Sequence, residues 1–294
     1  MLERDFTVTK EFEVELKSQI EFSKNNTHHD SVFLFTENYG DRNICHWMTE
    51  QLMVLNYLID ILELIPHVKV IINRNRRQSM QSLILDYLHA IPNLPHHNII
   101  EVNLDDFIVI DCNNIFLADS HNCTLSNIYP PWARLHSRLN LNLDRQESEK
   151  FPSQFYMSRR NIYQPDKHTN TRILENYDEI SDFIVEKGYK EIFSDELKTL
   201  QERITLFRTA KTIVCELGAG LHNLLYCQDG ITVYVMYQRN NVSWLQEYYP
   251  LFKKKKMKVF TIPGETTSPE HNGNWLNTPW KLSLDHLKVA FREI

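Results

Sequence analysis

Side chains capable of chemistry concentrate in three short stretches of the sequence. The first, Asn43–Leu52 (NICHWMTEQL), sets His46 and Glu50 four residues apart. On a helix that spacing puts both on one face. There a carboxylate that fixes the tautomer of an imidazole and raises its basicity makes a general base; a plain helix-surface contact fits the same spacing. The second stretch is Ser158–Asn161 (SRRN), followed by Arg172 and by Glu175-Asn176 where a helix opens. Guanidinium forks on Arg159, Arg160 and Arg172 match phosphate oxygens in shape and charge, and a surface ion pair is the blander use of the same residues. The third, Thr212–Tyr226 (TIVCELGAGLHNLLY), runs from an apolar strand through Glu216-Leu217-Gly218-Ala219-Gly220 into a helix start. Small residues at such a junction let backbone N–H groups and the positive end of a helix approach a pyrophosphate, whereas a tight turn would use the glycines only for backbone freedom. The chain holds 7 glycines in 294 residues, well below the average of about 7%, so a pair two positions apart stands out.

Alternating strands and helices must position these stretches. Ser31–Thr36 reads as a buried strand, and Cys45–Ile65 carries apolar residues at helical spacing, among them Trp47, Leu52, Leu55 and Leu62. Val68–Ile72, Ile99–Val102, Phe107–Ile110 and Ile115–Leu117 read as further strands, with a helix over Gln78–Ile91. The polar stretch Asn142–Pro152 reads as a linker. Beyond it, strands Phe155–Ser158, Tyr189–Phe193, Thr212–Cys215, Ile231–Met236 and Lys258–Ile262 alternate with helices Ile173–Lys187, Leu200–Ala210 and Ser243–Phe252. This alternation predicts an α/β protein with one domain over residues 1–145 and a second, nucleotide-binding-like domain over residues 152–265. A loop and helix over residues 266–294 close the chain. Two doubly wound, Rossmann-like domains leave a deep interdomain cleft between the carboxyl ends of their sheets, where such folds bind ligands. A bilobal enzyme is the natural reading.

Composition excludes several classes. With 42% hydrophobic and 24% charged residues the chain is not disordered as a whole. A formal net charge of −6 is the wrong sign for a nucleic-acid binder. No apolar run approaches the roughly 18–20 residues that cross a bilayer, and the charged N-terminus lacks the apolar centre of a secretory signal, so no transmembrane segment and a cytoplasmic location are expected. Five scattered cysteines without a C-x-x-C pair argue against a disulfide framework or a zinc knot. Trp244 with Tyr248-Tyr249 reads as core or as a stacking platform, Trp275 and Trp280 as an acceptor groove or a cover over the domain junction, and Lys253–Lys256 as a solvated turn or a weak anionic contact.

The order N-x-x-H-W-x-x-E, then S-R-R, then R-I-L-E-N, then an apolar strand into G-A-G-L-x-N resembles glycosyltransferase family 61 over roughly Asn43–Tyr237. One departure stands out: Glu216-Leu217 precede Gly-Ala-Gly-Leu where many members carry His. The resemblance implies an inverting transferase of the two-domain GT-B type that takes a UDP-sugar, with xylose, arabinose and N-acetylglucosamine among the family's donors, and an oligosaccharide or glycoprotein acceptor. Under that reading the donor-binding residues are Arg159, Arg160, Arg172, Asn176, Glu216, Gly218, Ala219, Gly220, Leu221, His222 and Asn223, and the catalytic residues are His46 and Glu50, either of which serves as base. Asp-x-Asp, the metal-holding pair of the other common transferase fold, occurs nowhere in the chain. No metal and no cofactor are expected, and protein charge with helix N–H groups must stabilise the departing diphosphate. An inactive glycan- or protein-binding relative and a nucleotide-sugar epimerase are the alternatives.

Overall fold

The computed structural model describes residues 27–35, 54–74, 78–102, 110–118, 129–141, 150–160, 173–194, 196–267 and 278–292. His46, Glu50 and Arg172 lie outside the described residues.

The chain is α/β, with two sheets among the described residues. The first contains β1 (Thr27–Phe35), β2 (Lys69–Asn73), β3 (Ile99–Val102) and β4 (Ile110–Ala118) in the order β3-β2-β1-β4, with every pairing parallel. Its helices are α1 (Val54–Leu64), α2 (Gln78–His89) and α3 (Tyr129–Arg138). Of the last two short apolar runs of this half, Ile115–Leu117 lies within β4, which Ile110 opens, and residues 107–109 fall outside the described residues.

The second sheet contains β5 (Gln154–Ser158), β6 (Lys190–Phe193), β7 (Thr212–Glu216), β8 (Thr232–Gln238), β9 (Lys258–Thr266) and β10 (Trp280–Lys281), in the order β10-β9-β8-β7-β5-β6. All pairings are parallel except β9 with β10. Winding starts at β5, runs out to β6 and returns on the other side to β7, so the strand order reverses between β5 and β7. The helices are α4 (Tyr177–Glu186), α5 (Leu200–Thr209), α6 (Val242–Glu247), α7 (Tyr249–Lys254) and α8 (Leu284–Arg292).

Strand alternation explains how both faces are covered. Phe155, Met157, Ile213, Cys215, Val233 and Val235 enter one apolar cluster, while Tyr156, Val214, Tyr234 and Met236 enter another that includes Ile180 and Leu287 of α4 and α8. The first cluster continues through Leu55, Leu58 and Tyr87 of the N-terminal half, so the two sheets share one core. Polar ties reinforce it: the Tyr87 and Tyr226 hydroxyls are hydrogen-bonded, and Leu200 N–H, at the start of α5, donates to Asp86 Oδ2 at 2.7 Å. Cys215 and Cys227 are buried free thiols.

Three elements depart from the sequence reading for local reasons. The helix expected over Ser243–Phe252 is two short helices, because Pro250 lacks a backbone N–H and is accepted only in a first turn, here that of α7. The segment after Gly218 is a 3-10 helix, Ala219–Tyr226, with Leu221–Tyr226 buried on all sides, so no apolar stripe enforces the 3.6-residue period. The helix expected from Ile173 begins at Tyr177, since Ile173–Glu175 pair instead with Trp280: Trp280 N–H donates to Ile173 O and Glu175 N–H to Trp280 O, both at 2.9 Å.

Candidate functional site

In sheets of this winding, ligands bind outside the carboxyl ends of the strands where the order reverses. Here that point lies between β5 and β7. The chain leaves β5 at Ser158, whose hydroxyl accepts the Arg160 N–H at 3.2 Å, a serine turn that sends the two arginines apart. Arg159 lines a narrow crevice of about 10 Å³ together with Glu216 and Leu217 from the end of β7, Gln238 at the end of β8, Asn241 just beyond it, and Trp280. Arg160 faces outward: it pairs with Asp178 at 2.9 Å, lies 4.8 Å from the centre of the Tyr177 ring, and its side chain is 47% exposed.

The glycine turn beside this crevice is braced from behind. Leu221 N–H closes the first turn on Gly218 O at 3.0 Å. His222 and Asn223 both point inward, at 1% exposure. His222 Nδ1 meets the Tyr248 hydroxyl at 3.0 Å, and that hydroxyl also donates to Gly218 O at 3.3 Å. Asn223 Nδ2 donates to Gly220 O at 2.9 Å, and its Oδ1 accepts from buried Arg203. Burial pulls the Arg203 guanidinium below its ordinary value, against the opposing pull of the Tyr226 and Tyr87 hydroxyls. Ala219 and Gly220 remain half-exposed on the other side, at the end of the helix whose first N–H groups have no intrahelical acceptor.

The backbone does not require this glycine pair. Gly218 is extended (φ 161°, ψ −167°), and a Cβ on Gly220 would meet only Met157 Cγ, at an ordinary 4.0 Å. Gly220 keeps the outer side of the turn bare without being needed for its shape.

Asn176 is committed elsewhere. Its Nδ2 donates to Leu282 O at 2.9 Å and its Oδ1 accepts Leu282 N–H at 3.1 Å, which clamps the C-terminal segment to the start of α4. Of the residues read from sequence, the structure thus gathers Arg159, Glu216 and the Gly218–Gly220 turn along one strand edge. Arg160 is set in an outer ion pair, and Asn176, Leu221, His222 and Asn223 are set behind or beside that edge.

Sequence reasoning missed Gln238 and Asn241. Gln238 is 2% exposed and donates to Thr266 Oγ1 at 3.0 Å, and Asn241 Nδ2 donates to Gln238 Oε1 at 3.2 Å. The polar run Gln238–Asn241 directly after an apolar strand is the signal that marks them.

Fold and site together define an α/β protein with its candidate ligand site at the carboxyl edge of a parallel sheet. Residues 44–235, well over half of the chain, match the family model described as Glycosyltransferase 61. The chain belongs to glycosyltransferase family 61 and is a glycosyltransferase, an enzyme that uses a sugar donor and a glycan acceptor. No curated protein matches it. Among the described residues no helix is long and apolar enough to cross a membrane.

Proposed function

We propose that the protein transfers a sugar, with xylose the first candidate, from a UDP-sugar to a glycan hydroxyl, with inversion and without a metal ion. The observation that carries this reading is the pairing, at the reversal point of the second sheet, of Arg159 with a helix-opening turn whose outer side is bare. A guanidinium and backbone N–H groups are the donors that a departing diphosphate needs when no metal screens its charge. Glu216 repels phosphate and accepts from hydroxyls, so its place is on the ribose or the donor sugar.

In this reading the two halves act as paired Rossmann-like domains of the GT-B type. Support comes from their strand orders, each of which reverses winding once. The acceptor half contributes the base. His46, or Glu50 in its place, takes the proton from the acceptor hydroxyl. The hydroxyl oxygen forms its bond to the anomeric carbon while the bond from that carbon to the diphosphate breaks on the opposite face, which inverts the configuration. Both residues belong to the stretch of chain between β1 and α1. The absence of Asp-x-Asp supports the reading without a metal ion.

A panel of UDP-sugars tested by thermal shift in the presence of a chelator, with NMR of the product's anomeric proton, tests the proposal. A donor that raises the melting temperature and yields the inverted linkage is the expected result. Absence of UDP binding, or a strict need for divalent metal, overturns it. His46→Ala and Glu50→Gln should remove turnover while leaving UDP binding intact.

A further inference from the structure

A second concave surface lies away from the Arg159 crevice. α7 and the first half of β9 flank an open groove of about 570 Å³. Its floor is apolar, made by Phe252, Met257 and Val259, and its rim carries Tyr249, Lys253 and Lys256. The Tyr249 ring is 47% exposed. The four-lysine run divides its work: Lys255 is buried and donates to Cys227 O, Lys254 lies over the Tyr129 ring, and Lys253 and Lys256 stand in solvent at the groove, without an acidic partner among the described residues.

Two further features distinguish this groove from ordinary surface. Lys256 holds a left-handed backbone, φ +51°, just past the end of α7. Glycine is the residue this position favours, and a side chain there costs conformational energy. Lysine occupies it here. The adjoining edge of β9 also has no strand partner among the described residues. β8 pairs with one side of Lys258–Gly264, whereas β10 reaches only Glu265 and Thr266. Lys258 N–H donates to Ile231 O at 2.9 Å, so the peptide groups of Val259 and Thr261 point away from the sheet, toward the unpaired side. Pro263 supplies no N–H to continue a ladder, which leaves this edge too short to take up an added peptide strand.

We propose that the groove binds a short run of an anionic glycan chain. Lys253 and Lys256 meet its carboxylate or sulfate groups, Tyr249 stacks on a ring face, and the exposed peptide groups of Val259 and Thr261 bond its hydroxyls. Two lysines beside an exposed aromatic ring and outward-facing peptide groups suit the acidic groups, ring faces and hydroxyls of a sugar chain together, whereas a bilayer surface uses only the charge. The inference rests on the reading of the protein as a glycan-modifying transferase, and supplies a holding site for an acidic acceptor outside the donor crevice.

The test is titration of the full chain, without nucleotide, with a hexameric oligogalacturonate at low ionic strength. The expected result is saturable binding at least about tenfold tighter than that of a neutral hexasaccharide and weakened by salt. The pair Lys253→Glu and Lys256→Glu should weaken it about tenfold or more, and Tyr249→Ala several-fold. Lys256→Gly separates function from folding: it should leave the melting temperature unchanged or raised and still lower affinity. Equal affinity for the neutral chain, insensitivity to these variants, or preferential binding to vesicles with roughly 30% anionic lipid overturns the proposal. UDP binding on the same samples distinguishes the two readings. Retained UDP binding without oligogalacturonate binding removes this inference alone, and the converse removes the donor reading while the groove stands.

Discussion

Asn176 and Leu282, 106 positions apart, are joined by a two-way hydrogen bond in which a side-chain amide imitates a strand partner. The contact anchors the segment that carries Trp280, one wall of the Arg159 crevice. Asn176→Ala deletes both bonds and leaves a backbone pair without its partner, a loss of about 1–3 kcal/mol. Urea denaturation should show that loss. Nucleotide affinity should fall only as far as the crevice wall loosens. A large affinity loss at unchanged stability would instead make Asn176 a donor contact.

Arg159 and Arg160 should separate sharply on substitution. Arg159→Met removes the crevice guanidinium and should weaken UDP binding by about 1.5–3 kcal/mol, as for a charge-assisted bond. Arg160→Met breaks an exposed pair with Asp178 and an exposed contact with the Tyr177 ring, so UDP affinity should stay within about 0.5 kcal/mol and stability should fall by no more than about 1 kcal/mol. Isothermal titration of the two variants against UDP reads the difference directly.

Gly220 offers a cleaner probe of ligand approach. Because a Cβ there meets only Met157 Cγ at 4.0 Å, Gly220→Ala should fold as well as the parent or gain about 0.4–1 kcal/mol from a stiffer unfolded chain. If the bare turn faces a diphosphate, the same methyl group blocks it and UDP affinity drops. Melting temperatures with and without UDP check both halves of this expectation.

The alternation of strand and helix is legible in the sequence because central parallel strands, buried on both faces, write themselves as short continuous apolar runs such as Ile213–Cys215 and Val233–Met236. β10 is not legible. It has two residues, and Trp280 gains its place only by pairing with Thr266 on one side and bridging to Leu174 on the other, partners far away in the chain. The site is legible by residue type rather than by direction. The sequence shows two arginines after a strand; the Ser158 turn decides that one enters the crevice and the other leaves it. The polar run after an apolar strand marks Gln238 and Asn241 as strand-end residues, but only the sheet order, which sets the end of β8 beside β7, brings them to this crevice.

Gly264 contrasts with Gly220. A Cβ on Gly264 would lie 2.5 Å from Lys281 O and 2.5 Å from Trp280 Cε3, because the indole packs directly on the bare backbone of β9. Neither β10 backbone nor a buried ring can yield cheaply, so Gly264→Ala should cost about 1–3 kcal/mol as overpacking. The displaced Trp280 should also change the crevice, so the near-ultraviolet circular dichroism of this variant should shift along with its melting temperature.

The buried joint between the two halves should set both limbs of the pH–stability profile. His136 stacks on Trp132 with ring centres 4.2 Å apart and lies edge-on to Tyr226, and burial, aided by the Lys255 cation, lowers its pKa to about 3. The unfolded chain takes up that proton near pH 6.5. Below this value it therefore binds more protons than the folded chain, and stability falls as pH drops from about 6.5 toward 3. Tyr226 works on the other limb: burial pushes its hydroxyl up to about 12, against the opposing effects of the Tyr87 hydrogen bond and the Arg203 cation. The unfolded hydroxyl ionises near pH 10, so stability is full below about pH 10 and falls as pH rises toward 12. His136→Phe keeps an aromatic ring and should flatten the acid limb relative to the parent. Tyr226→Phe should flatten the alkaline limb only in part, because burial also raises the Tyr87 hydroxyl well above its ordinary value and that residue remains. Urea midpoints measured from pH 4 to pH 11 on the parent and both variants test this assignment; parallel curves for the parent and the His136 variant between pH 6.5 and 4 would remove His136 from the acid limb.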